Sequence, residues 1–200
     1  MNVEERKTAA TPSSQRQQLS LFARNFFKHP RMLGSIIPSS PFLIRRLLEP
    51  VDWERARVIV EYGPGVGTIS REILRRMHPE AILVAIETND DFVDYLRTAL
   101  PDPRLQLVAG SAEDVAAILA DRGLSAADYV VAGIPFSTMP EGLRNGVLSA
   151  TRDALSPQGE LLIYQFSPKV LPDLQRNYQN VRRGFEPLNI PPAQVYFCEP

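Results

Sequence analysis

Two carboxylates and three glycines carry the most specific chemical signal in this chain. In the run Val58-Ile-Val-Glu-Tyr-Gly-Pro-Gly-Val-Gly-Thr-Ile-Ser70, Glu61 closes a β-branched stretch. Gly63, Gly65 and Gly67 then follow at every second position. A strand, a tight turn and a helix start with no side chains in the way let a ligand lie against backbone N–H groups. Twenty residues beyond Gly67, a second apolar run, Ala81 to Ile86, ends in Glu87 and Thr88. An acid at that distance is where a doubly wound fold holds ribose hydroxyls. Together the two segments predict a nucleoside site.

The spacing selects among nucleosides. The dinucleotide fingerprint is G-x-G-x-x-G, whereas here the third glycine comes one residue early and Thr68 stands in its place. The pattern E-x-G-x-G-x-G resembles motif I of the class I S-adenosyl-L-methionine (SAM) methyltransferases. SAM has no pyrophosphate but carries an ammonium group, and a carboxylate such as Glu61 suits it. The resemblance therefore implies SAM as cofactor, with Glu61, Gly63, Gly65, Gly67, Glu87 and Thr88 around it and S-adenosyl-L-homocysteine as product.

Two further strand ends could complete such a site. Gly110-Ser-Ala-Glu-Asp114 stands where the same superfamily often carries Gly-Asp-Ala, its Asp reaching the adenine amino group. Ser111, Ala112 and Glu113 are the matching candidates, with Glu113 substituting for that Asp or the contact made by backbone alone. Glu113 and Asp114 equally suit the first turn of a helix as acids complementing its dipole. Gly133-Ile-Pro-Phe136 resembles motif IV, Asn/Asp-Pro-Pro-Tyr/Phe, of amino-group methyltransferases. Gly133 stands in the Asn position, so the side-chain acceptor for a planar base amine is absent. The Ile134 carbonyl and the Phe136 face remain, and they suit an alkylammonium by hydrogen bond and cation–π contact. Pro135 is a substrate-contact candidate, and Phe136 can alternatively be core. Tyr164, Glu113 or water are the candidate bases.

The elements that must position these residues alternate. Strands are expected near 57–62, 81–86, 104–109, 127–132 and 159–166, with helices near 67–77, 89–99, 112–121 and 139–154. Thr138-Met-Pro-Glu141 has the form of a capping box for the last helix. Apolar strands in βαβα alternation predict a parallel sheet covered on both faces. Val181–Phe185 and Val195–Cys198, joined across Pro187 to Pro192, read as a closing antiparallel pair. The expected fold is α/β, a doubly wound seven-stranded Rossmann-like class I methyltransferase sheet with an N-terminal amphipathic helical arm. The arm is assigned to residues 1–50 and the SAM-binding domain to 51–200.

The arm has its own character. Over residues 15–28, Leu19, Phe22, Phe26 and Phe27 fall on one arc of a helix, with Arg24 and Lys28 opposite. No Asp or Glu occurs between Arg6 and Leu48. Residues 1–55 hold nine Lys/Arg and five Asp/Glu, a net of +4, so the overall −1 leaves −5 for the remainder. Such an arm is drawn to an anionic surface, and a helix of this kind can lie in a lipid interface. Its apolar arc could instead pack on the protein's own sheet. Ser39 or Ser40 suits the N-cap of a helix beginning at Pro41; both serines are also candidates to hold a lipid phosphate or the SAM carboxylate, with Arg31 a second clamp on the phosphate. Cys198 is the sole cysteine, and His29 and His78 are scattered, so neither a disulfide nor a metal site is expected. No run approaches the ~18 apolar residues of a membrane span, and the polar first residues do not read as a signal peptide.

Taken in order, Phe26 to Pro41, the glycine loop, Ala132 to Ser137, Tyr164-Gln-Phe-Ser167 and Asn189 to Tyr196 resemble the bacterial phospholipid N-methyltransferases. That resemblance implies stepwise methylation of phosphatidylethanolamine towards phosphatidylcholine. It also implies a lipid substrate, an anionic phospholipid surface as partner, and a cytoplasmic location on the inner face of the cell membrane. A related branch methylates ornithine lipids. Ribosomal RNA adenine dimethyltransferases share the glycine loop and an Asn-Leu-Pro-Phe segment, but Gly133 departs from it, so no nucleic-acid partner is expected.

Overall fold

The computed structural model describes residues 39–200. The expected membrane-contact residues Leu19, Phe22, Arg24, Phe26, Phe27 and Lys28, and the expected phosphate clamp Arg31, lie outside the described residues. Seven strands form one sheet in the order β3-β2-β1-β4-β5-β7-β6. They are β1 (Val58–Tyr62), β2 (Ile82–Glu87), β3 (Leu105–Ala109), β4 (Ala127–Ala132), β5 (Leu155–Gln165), β6 (Asn180–Glu186) and β7 (Ala193–Glu199). β1 to β5 are parallel, and β7 runs antiparallel between β5 and β6. The helices are α1 (Pro41–Leu47), α2 (Thr68–Arg76), α3 (Asp90–Ala99), α4 (Val115–Ala120), α5 (Glu141–Ala154) and α6 (Leu171–Asn177).

Strand residues alternate between two cores. Val60 and Tyr62 of β1 join a cluster with Val115 of α4, Leu148 of α5 and Leu174 of α6. Ile59 faces the other cluster, with Leu43 and Leu47 of α1, Ile73 of α2 and Leu96 of α3. Both faces are thus covered, which is why the strands are apolar throughout. α1 belongs to the second core, so the folded unit takes in residues that the sequence pattern assigns to the arm. The chain leaves β1 for β2 on one side and returns to β4 on the other. The order reverses between β1 and β4, and a crevice opens there beyond the strand ends.

Three details differ from the sequence expectation. The capping box does not form. Thr138 closes a 3-10 turn over Phe136–Thr138 and bonds the Pro135 carbonyl, and α5 starts at Glu141 with Pro140 as N-cap and no side-chain cap. The expected helix over 112–121 splits into a 3-10 turn, Ala112–Asp114, capped by Ser111, followed by α4. α6 was not expected. It is one short helix with proline in its first turn, too brief for periodicity to reveal.

Candidate active site

The glycine turn is built by backbone conformation. Gly63, Gly65 and Gly67 have φ of 65°, 55° and 75°, a region that disfavours any side chain. Each has its own task. A Cβ on Gly63 would meet Ile134 Cγ2 at 2.8 Å, so this glycine lets the first and fourth strand-end loops close on each other. A Cβ on Gly67 would meet Leu96 at 2.6 Å, so Gly67 serves the packing of α2 on α3. The Gly65 N–H donates to Glu87 Oε2 at 3.1 Å.

Glu87 is the polar centre of this half. It is nearly buried, and its second oxygen accepts from the Asn89 N–H at 3.0 Å. Thr88 adds backbone and side-chain bonds. Burial raises the Glu87 pKa, and these donors work against that rise. With Gly63, Glu87 lines a cavity of about 170 Å³. The same wall holds Thr88, Ser111, Ala112, Ile134 and Pro135. Met139, Leu143 and Val147 approach from the start of α5 and were not anticipated from the sequence. A mostly apolar slot with a fixed carboxylate at one end suits a purine and its ribose, so the residues present fit the adenosyl half of SAM.

Two expected cofactor residues do not line this cavity. Glu61 sits beneath the loop, 1% exposed, and accepts from Ser70 Oγ at 2.6 Å. Desolvation, with the nearby Glu87 charge, pushes its pKa up to about 7 despite the Ser70 bond. Glu113 is turned away: its Oε1 lies 2.7 Å from where a Cβ on Gly146 would sit, over α5. Glu113 therefore acts as an acid in the first turn after Ser111, and of this segment it is Gly110, Ser111 and Ala112 that line the cavity.

The half of the crevice beyond β4 and β5 differs in kind. Phe136 is fully buried in the core with Tyr62 and Val147, so its ring offers no open face to an ammonium. That expectation is corrected. The Ile134 carbonyl is also engaged: it accepts from Gln165 Nε2 at 2.8 Å and from the Phe136 N–H at 3.0 Å. Both lone pairs are used, so this oxygen is a structural acceptor and not a free one for substrate. Gln165 Oε1 in turn accepts from Ser137 N–H at 3.2 Å and Oγ at 2.7 Å. This single buried amide holds the loop after β4. It lies within the Tyr164-Gln-Phe-Ser segment, but no sequence pattern marked it as the clamp.

Tyr164 remains at the expected place, at the end of β5. A Cβ on Gly133 would lie 3.6 Å from its hydroxyl and 3.2 Å from the Gly63 carbonyl. The phenol thus borders the room that a motif IV side chain would need. It hydrogen-bonds the Ser39 side chain, and burial raises its pKa, with the Glu61 charge adding to the rise. Ser40 is spent on the fold: its Oγ caps α1 by accepting from the Leu43 N–H at 3.1 Å, and its N–H donates to Asn189 Oδ1 at 2.9 Å. Among the described residues no three His, Cys, Asp or Glu side chains gather as a metal site, and no helix is long and apolar enough to cross a membrane.

No family model matches the chain. A curated relative, an ornithine lipid N-methyltransferase from Singulisphaera acidiphila, is 36% identical over 180 residues, covering 89% of this chain and 94% of its own. A ribosomal RNA small subunit methyltransferase A from Mycoplasma capricolum is 27% identical over 81 residues, only 40% of this chain and 29% of the relative. Among solved structures, a precorrin-6y C5,15-methyltransferase from Geobacter metallireducens superposes with a TM-score of 0.61 at 17% identity, covering 78% of this chain and 86% of that one. PigF with SAH gives 0.60 at 13% identity, covering 80% and 55%. The strand order, the glycine turn and the full-length relative lead to one conclusion: this chain belongs to the class I SAM-dependent methyltransferases, in the same family as that Singulisphaera enzyme.

Proposed function

We propose that this enzyme methylates the amine of a membrane-lipid headgroup, taking the methyl group from SAM at the membrane surface. The observation that carries the reading is the pairing of Gly133 with Tyr164. A side-chain acceptor aimed at a planar base amine is missing, and a neutral hydroxyl stands 3.6 Å from where its Cβ would be. That arrangement fits a tetrahedral alkylamine better than an adenine amino group. The sequence resemblance points to phosphatidylethanolamine, on the path to phosphatidylcholine. The full-length relative acts on ornithine lipid, and its 36% identity favours that headgroup as the second reading. Both are primary alkylamines on a lipid.

SAM supplies an electrophilic methyl on a sulfonium, so the protein's task is largely alignment. Glu87, Thr88, Ser111 and Ala112 hold the adenosyl end, and the glycine turn lets the rest lie against backbone. An alkylammonium has a pKa near ~10 by analogy with lysine, so it must lose a proton before it can attack. Tyr164, with its raised pKa, stays protonated and orients the nitrogen; the proton passes to water. Each product short of the quaternary state is still an amine and can re-enter the same geometry. Ser39, bonded to Tyr164, borders the acceptor side. The upstream segment, whose sequence pattern sets Leu19, Phe22, Phe26 and Phe27 apart from Arg24 and Lys28, supplies the contact with anionic lipid.

The deciding experiment incubates the protein with isotope-labelled SAM and vesicles containing either phosphatidylethanolamine or ornithine lipid. Label in one lipid identifies the headgroup. Label in neither, with SAM still bound, overturns the lipid reading. Label in ribosomal RNA instead would establish the nucleic-acid alternative.

A further inference from the structure

Five large apolar side chains are exposed among the described residues, and four of them sit at one edge of the molecule. Ile190 is 84% exposed, Leu188 59%, Phe185 49% and Phe42 48%. Leu188 and Ile190 lie in the turn between β6 and β7. This turn is at the same end of the sheet as the cofactor cavity, because β7 runs antiparallel from it alongside β5. The fifth, Leu143, lines the cavity itself. Isolated exposed apolar residues are ordinary, but a cluster at one end of a fold marks an interaction surface.

The cluster is held in place. Ser40 N–H donates to Asn189 Oδ1 at 2.9 Å, which fixes the start of α1 against the turn. Asn189 Nδ2 donates to the Pro191 carbonyl at 2.8 Å, and Glu186 Oε1 accepts from the Leu188 N–H at 2.9 Å. Further along α1, Arg46 pairs with Glu186 at 3.2 Å. α1 is therefore tied to the β6–β7 pair at two points. Phe42, four residues before Arg46 and on the same helix face, lies along that edge. Phe185 projects from the other face of the edge strand near the same end. Arg45 follows Phe42 by three residues on α1, and Arg183, which donates to Gln194 Oε1 at 3.2 Å, precedes Phe185 by two on β6.

We propose that the β6–β7 turn and the start of α1 form a second docking surface for an anionic phospholipid bilayer, contributed by the folded domain itself. The occupant is argued from charge and position. Apolar tips flanked by Arg45 and Arg183, which form no ion pair among the described residues, match the boundary between acyl chains and anionic headgroups, and the surface lies at the end of the sheet where the acceptor amine must arrive. The choice of a bilayer rests on the lipid-amine reading; the existence of the surface does not. Insertion of Leu188 and Ile190 would bring that end of the sheet down to headgroup level.

The test uses the full chain and vesicles of phosphatidylethanolamine with one third phosphatidylglycerol. Cys198 is fully buried and burial raises its thiol pKa, so Ile190→Cys offers the reactive site for an environment-sensitive fluorophore. Gln158→Cys, exposed at the opposite end of the sheet, is the control. A blue shift at 190 on adding vesicles, without one at 158, is the expected result. Leu188→Ser with Ile190→Ser should reduce vesicle association by at least about tenfold, from the apolar area withheld from lipid, with SAM affinity unchanged. No shift at 190 and undiminished association of the double variant would overturn the inference. If that variant still methylates vesicle lipid at the normal rate, the functional reading stands while the surface does not. A shift at 190 that appears without vesicles and follows protein concentration would assign the surface to a second copy of the chain, also overturning the proposal.

Discussion

The two halves of the crevice are built on opposite plans. On the β1–β2 side the backbone is open: glycines clear the space, and the Glu87 carboxylate stands at the wall with donors from the glycine turn and from its own strand end. On the β4–β5 side the polar groups are already joined to one another. Gln165 holds Ile134 and Ser137, Tyr164 holds Ser39, and Ser40 holds Asn189. One half is shaped to receive a ligand's hydrogen bonds. The other is held rigid by bonds among its own residues. This is the division expected when catalysis depends on alignment: a cofactor needs many contacts, whereas an amine nitrogen needs position.

The comparison can be broken most forcefully at the glycine turn. Gly65→Val places a β-branched residue at a φ of 55°, and strain of about 1–3 kcal/mol, added to blockage of the turn, should take SAM binding beyond detection by calorimetry. Unchanged affinity would remove the turn from the cofactor site. Glu87→Ala should weaken SAM by roughly 1–3 kcal/mol through lost charged hydrogen bonds and a loosened Gly65. Equal affinity in the variant would place the ribose elsewhere. Gln165→Ala tests the rigid half. It frees one Ile134 bond and both Ser137 bonds, and kcat should fall roughly tenfold, for about 1.4 kcal/mol of lost positioning, while the SAM Kd stays within about twofold. A parallel loss of SAM affinity would show that the halves are not separable.

The smallest effect expected is a pH dependence. Burial raises Glu61 to about 7 in the fold from an ordinary 4.5. For an acid with a raised folded pKa, the neutral form is the one the fold favours. Its contribution to stability is complete below about 4.5 and is lost as pH rises through about 7. A cation beside it favours the ionised form, so SAM affinity should rise modestly between pH 6 and pH 8, with proton release on binding below pH 7. Glu61→Gln should flatten both trends. Calorimetry in buffers of different ionisation heat measures the released proton, and a flat wild-type profile would separate Glu61 from the SAM ammonium.

Legibility from sequence followed the range of the interactions. The glycine turn and the alternating strands are local patterns, and both appear where the residues predict them. Ser40 is recognisable as a cap because its partner, Leu43, is three residues away. The clamps were hidden for the opposite reason. Gln165 reaches Ile134 across 31 residues, and Asn189 reaches Ser40 across 149, and no periodicity connects such positions. Phe136 was misread because a proline-rich strand end looks alike whether its aromatic lines a site or fills a core. The Ile134 carbonyl was misread because sequence cannot show that an acceptor is already taken.

The bond between Ser39 and Tyr164 couples the start of α1 to the end of β5. Ser40, the next residue, caps α1 and is held by Asn189 of the β6–β7 turn. Two adjacent serines thus join three elements that are far apart in the chain. A displacement of α1 is therefore shared between the last strand pair and the Tyr164 phenol, and none of the three can shift without the others.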